Sequence, residues 1–180
     1  MTDTAFQPRS TDALIVIDPQ IDFCPGGALA VAGGDEVMPG INMLAPAFPI
    51  VAVTQDWHPA GHHSFASSHP DFEPFDTIAM PYGDQVLWPD HCIQGSAGAT
   101  FHPAIAPTLD RATLIVRKGY NPAVDSYSAF LRTTRSPGPV WPAFCATRAS
   151  RAACSWGWPM TSASPGQHST LGAKGSKRWC

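Results

Sequence analysis

Beyond Asp125 the chain contains no further Asp or Glu, and over its 180 residues only 14% are charged, well under the usual quarter. Other shortages narrow the function classes. No apolar run approaches the roughly 20 residues that cross a bilayer, and a net charge of −3 makes no case for a nucleic-acid or membrane partner. Neither a Walker loop nor a dinucleotide glycine fingerprint is present, and there is no internal repeat. Met1 to Thr11 is polar, and the apolar run behind it lacks a basic flank and a cleavage site, so no signal peptide is read. The five cysteines are odd in number and show no CxxC spacing; they read as reduced thiols, with the cytoplasm as the expected compartment.

What is present is an α/β pattern. Ala13–Ile17, Pro49–Thr54 and Thr113–Arg117 are short aliphatic runs rich in β-branched residues, read as strands of a parallel sheet buried on both faces. Between the first two, Asp35–Phe48 carries Val37, Ile41, Leu44 and Ala45 at helical spacing, which completes a right-handed βαβ unit. The stretch from His58 to His102, rich in Pro, Gly, His and Asp, is expected to be a loop-rich excursion over the strand ends. Asp18, Asp56 and Lys118 each fall just past an apolar run, where open α/β sheets place their sites. Asp56-Trp57-His58 and Trp88-Pro89-Asp90-His91-Cys92 add one carboxylate and two imidazoles, a donor set suited to one divalent ion with positions left open. His62 and His63 are weaker ligand candidates, and Cys92 reads as a buried, inert thiol.

The composition breaks near residue 131. Up to that point 14 acidic residues face 4 Lys and Arg, a balance of −10; from Arg132 onward 7 basic residues stand alone. Three of five cysteines and four of six tryptophans lie in the same final stretch, where periodicity vanishes. A solvated basic arm would not be built from scattered Trp and Cys. A change of reading frame accounts for more. Regrouping the codons of Trp156–Gly166 from their third bases permits Gly-Leu-Ala-Tyr-Asp-Phe-Cys-Val-Ala-Trp, and the same regrouping of Val140–Cys145 permits Leu-Ala-Gly-Phe-Leu. The chain is therefore divided into an α/β domain over 12–131 and an out-of-frame tail over 132–180 that leaves the fold incomplete or disordered there. Such a truncated sheet would keep an exposed edge that invites aggregation.

Ile17-Asp18-Pro19-Gln20-Ile21-Asp22-Phe23, Thr54-Gln55-Asp56-Trp57-His58-Pro59-Ala60-Gly61-His62, Leu87–Cys92 and Arg117-Lys118-Gly119 together resemble the nicotinamidases, within the isochorismatase-like cysteine hydrolases. The resemblance implies a three-layer open parallel sheet. It also implies an Asp-Lys-Cys triad in which Asp18 and Lys118 match the first two members, and the regrouped Asp-Phe-Cys is similar to the nucleophile motif. Asp56, His58 and His91 match the family's ligands for one divalent ion, Zn, Fe or Mn, while Phe23, Trp88 and Tyr127 match walls of a pocket for nicotinamide. No cysteine after residue 131 stands in the nucleophile's context, so the chain as written is expected to keep metal ligands and lose chemistry. Two rivals stay open: a hydrolase of another small amide or an isochorismate-type ether, and a metal-binding protein without catalysis. Self-association is also left open.

Overall fold

The computed structural model describes residues 7–128 and the backbone of 152–156. Four parallel strands form the main sheet: β1 (Asp12–Val16), β2 (Ile50–Asp56), β5 (Leu114–Lys118) and β6 (Ala152–Trp156), in the order β5-β2-β1-β6. β1 and β2 are buried at every position, as strands with both faces covered must be. Their register sets Val16 beside Val53, and β2 then runs on to Asp56, which pairs with Lys118 of β5.

The predicted helix is a composite. Pro39 and Pro46 lack the N–H that a continuous helix needs, so a 3-10 turn (Gly34–Val37), the helix α1 (Met38–Leu44) and a second 3-10 turn (Ala45–Ala47) follow one another. Met38, Ile41 and Ala45 still reach one face of the sheet and pack with Leu14, Val16, Val51 and Val53. Ile105 and Leu109, from a 3-10 turn and the short helix α2 (Ala106–Leu109), close the same cluster. Ile15, Ala52 and Val116 form a smaller cluster on the opposite face.

One expectation needs correction, and two elements are added to the reading. β5 is not buried on both faces: Ile115 is 47% exposed and Arg117 is exposed, while Val116 and Lys118 on the other face are buried, so only one face of this edge strand is covered. The excursion from His58 to His102 contains an antiparallel hairpin, β3 (Thr77–Met80) and β4 (Gly83–Val86), whose half-exposed residues escape a reading tuned to apolar runs. Within 132–180 the backbone of β6 pairs along the whole of β1, through bonds that require no side-chain periodicity. The remainder of 132–180, with Cys145 and Cys180, lies outside the described residues.

Candidate active site and metal centre

The site forms where β1, β2 and β5 end. At the end of β1 the chain turns sharply: Asp18 takes φ 47, a left-handed conformation that is costly for a residue with a Cβ, and its N–H donates to Thr54 Oγ1 at 3.0 Å. The Thr54 hydroxyl in turn donates to Asp18 Oδ1 at 2.6 Å, which aims the carboxylate across the strand ends. From β5, Lys118 Nζ reaches Asp18 Oδ2 at 2.9 Å and Asp56 Oδ1 at 3.2 Å. All three side chains are buried. One ammonium is thus shared by two carboxylates in a medium that screens poorly.

Their protonation follows from that sharing. Burial favours a neutral Lys118, but the two carboxylates outweigh it and hold the ammonium above its ordinary range. Burial also opposes charge on Asp56, yet Lys118 and the two imidazoles keep its carboxyl well below the usual value. Asp18 goes the other way: burial raises its carboxyl, Lys118 pulls it back, and the Asp56 charge pushes it up again. Two carboxylates on one cation are therefore split, with Asp56 the settled anion and Asp18 the group nearer to taking a proton.

Asp56, His58 and His91 come together as the sequence suggested, with one ligand atom from each lying within 4.8 Å of the others. His58 Nε2 stands 3.2 Å from Asp56 Oδ1, and His91 Nε2 stands 3.6 Å from Oδ2. Each imidazole is oriented from behind: Nδ1 of His58 donates to Gly119 O at 2.9 Å and Nδ1 of His91 to Pro89 O at 2.8 Å. Those bonds leave both Nε2 lone pairs for the space between the three residues, the arrangement by which carbonyl groups prepare histidines for a metal. Asp56 Oδ1 is buried and makes no hydrogen bond of acceptable geometry, although Lys118 and His58 lie at ion-pair distance. A buried carboxylate with one oxygen lacking a hydrogen bond and an imidazole nitrogen beside each of its oxygens fits a divalent cation.

Several residues that build the site carried no role in the sequence reading. Gly119, at φ 70, passes so close that a Cβ would fall 2.5 Å from His58 Cε1 and 2.6 Å from Asp56 Oδ1. Phe65 is fully buried between the imidazoles, its ring centroid 5.3 Å from that of His58 and 5.5 Å from that of His91. The Asp22 carboxylate accepts from Cys92 N at 2.7 Å and so holds the turn behind His91, where Cys92 takes φ 46. Asp22 and Gly119 stood inside the quoted motifs; their tasks depend on contacts across more than 60 residues and leave no local signal.

The expected pocket walls are separated into two contacts. Phe23 meets the edge of His91 at 5.6 Å, whereas the Trp88 indole N–H donates to the Tyr127 hydroxyl oxygen at 3.1 Å. Gln85 Nε2 donates to the same oxygen at 2.8 Å, which ties the β3–β4 hairpin to Tyr127. His62 is buried with both ring nitrogens occupied, by Ser64 Oγ and Asn121 O at 2.7 Å each; His63, the other weak candidate, is exposed and joins no metal-ligand group among the described residues. Cys92 is buried, and burial with the carboxylates of Asp56, Asp22 and Asp18 drives its thiol far above the ordinary range. Its burial is as expected. A separate open cavity of about 860 Å³ lies along β5, where Arg117 stacks 4.0 Å over Trp57; Asp18, Asp56, His58, His91 and Lys118 do not line it.

An isochorismatase-domain family model matches residues 12–134. The nicotinamidase of Acinetobacter baylyi is 51% identical over 135 residues, which cover 75% of this chain and 62% of that protein. The chain thus spans about three fifths of the length of that curated relative. Among solved structures, a nicotinamidase/pyrazinamidase of Acinetobacter baumanii superposes with a TM-score of 0.79 at 45% identity, covering 83% of this chain and 71% of its own. The pyrazinamidase of Pyrococcus horikoshii in complex with zinc gives 0.59 at 29% identity, with 82% and 70% covered.

Proposed function

This chain belongs to the isochorismatase-domain family, on its nicotinamidase branch, and from that premise we propose that its site is built to hydrolyse nicotinamide to nicotinate and ammonia in the cytoplasm. One observation carries the reading: Lys118 bridges Asp18 and Asp56, so a group suited to proton transfer and a metal-ligand set are one connected unit. Amide hydrolysis needs a strong nucleophile, a proton acceptor for it and a proton donor for the departing amine. Asp18, the carboxylate nearer to protonation, takes the thiol proton and returns it to ammonia. Lys118 lowers the energy of the thiolate.

Asp56, His58 and His91 would hold a divalent ion, Zn, Fe or Mn, which would supply Lewis acidity to position the substrate ring. Phe23, Trp88 and Tyr127 flank the ring. Among the described residues no cysteine is placed to serve as the nucleophile. Among the described residues the free cysteines are Cys24 and Cys92, both buried, and burial raises both thiols. That observation favours a second reading, in which the chain as written binds a metal without turnover and activity belongs to the alternative frame.

Restoring the alternative frame near Leu131 and assaying ammonia release from nicotinamide tests the first reading; turnover is expected, with about one divalent ion per chain. A stop codon in that frame before the regrouped Asp-Phe-Cys would refute it. Full metal content after Asp56→Ala and His91→Ala together would refute the ligand assignment.

A further inference from the structure

β2 continues three residues beyond its last pairing with β1, because β1 leaves the sheet at the left-handed turn of Asp18. In a parallel ladder the N–H and C=O of one residue point to the same side and those of the next residue to the other. Trp57 N donates to Lys118 O on the β5 side, at 2.9 Å. The N–H and C=O of Asp56 therefore face the side that β1 has vacated. Asp56 is buried, and buried backbone groups must find partners.

Gln20 fills the gap. Its Oε1 accepts from Asp56 N at 2.6 Å, and its Nε2 donates to Asp56 O at 2.8 Å and to Ala99 O at 2.9 Å. The side chain is fully buried, and its amide presents one acceptor and one donor to Asp56 in the order that a strand peptide would. We propose that Gln20 is a positioning residue for the metal-ligating carboxylate, its amide standing in for the strand residue that β1 does not supply. By pinning both backbone groups of Asp56 it fixes the direction of the Cβ, and with it the approach of Oδ1 to His58 and of Oδ2 to His91. Ligand geometry of this kind must be held within about 0.5 Å. No other residue type satisfies the arrangement: Glu keeps the acceptor and loses both donors, and Met keeps the length and loses everything polar.

The inference rests on the reading that Asp56, His58 and His91 hold a divalent ion, and cobalt(II) as probe separates the two. The full 180-residue chain and its Gln20→Met and Gln20→Glu variants are titrated with cobalt(II), following the visible absorption band that reports coordination geometry, beside circular dichroism and melting. The parent is expected to bind one ion. Gln20→Met is expected to bind about 10–100-fold more weakly, the usual penalty for losing an outer-shell partner, with an altered band in the folded protein. A residue serving only the fold would lower the melting temperature and leave affinity and band of the folded protein unchanged, and that result overturns the proposal. If Gln20→Met does not fold, Gln20→Glu is read by the same criteria; if neither folds, Gln20 is a folding element and the proposal falls. A parent that binds no cobalt overturns the metal reading itself.

Discussion

Removing a single charge or adding a single carbon reports on the centre directly. Lys118→Met takes away the cation shared by Asp18 and Asp56, and breaking a buried ion pair on one side costs about 3–5 kcal/mol. Urea unfolding at neutral pH should show a loss of that size. The pH dependence has a definite sign. In the parent, Asp56 is held below its unfolded value, so its contribution is present above that value and lost as the pH falls through the depressed one. Without the ammonium the buried carboxyls protonate more readily, so the difference between variant and parent should shrink on acidification. A gap that stays constant from neutral to acid pH would contradict the shared-cation account. Gly119→Ala probes the metal side, since its Cβ would fall 2.5 Å from the His58 ring. Metal content should drop at least about 10-fold, and an unchanged content would show that the His58 ring is free to move. These residues differ in legibility. Asp18, Asp56, His58, His91 and Lys118 are chemically distinctive types in recognisable strings, whereas Gly119 and Phe65 act through shape that the chain order does not display.

Among the elements, β5 is the one whose behaviour departs most from its sequence. Thr113–Arg117 reads as a strand covered on both faces, yet Ile115 lies open at the end of the strand order. Ile115→Lys should therefore alter stability by no more than about 0.5 kcal/mol, as surface changes do, while a charge on an edge strand suppresses self-pairing. Light scattering at rising concentration should show less aggregation than in the parent, and a variant unfolded at room temperature would place Ile115 in a core. α1 was legible as an amphipathic stretch because Ile41, Leu44 and Ala45 reach the core, whereas Val37, read with them, is 37% exposed and Met38 takes its place; the division by 3-10 turns follows from the two prolines. The β3–β4 hairpin was not legible. Its residues alternate weakly, and it is held by Gln85 and Tyr127, 42 positions apart.

For the whole molecule, the expectation is that this 180-residue chain releases no ammonia from nicotinamide above the buffer rate. Loss of an activated nucleophile costs on the order of 10⁶ in turnover, and the described cysteines are buried. Turnover that disappears in Cys145→Ala, Cys154→Ala or Cys180→Ala would overturn this, and with it the frame-change account. The sequence by itself determined the sheet-forming runs, the Asp, His and Lys side chains that gather at the strand ends and the break in composition near residue 131, because aliphatic periodicity, side-chain chemistry and composition are all local. Tertiary structure alone decided that one ammonium joins Asp18 to Asp56, that Gly119 and Phe65 shape the histidine pair, and that Gln20 completes the ladder at Asp56. Those contacts link residues 36 to more than 60 positions apart. They exist only after β1, β2 and β5 lie side by side and their ends converge, since short-range pattern carries no information about which strand end will face which.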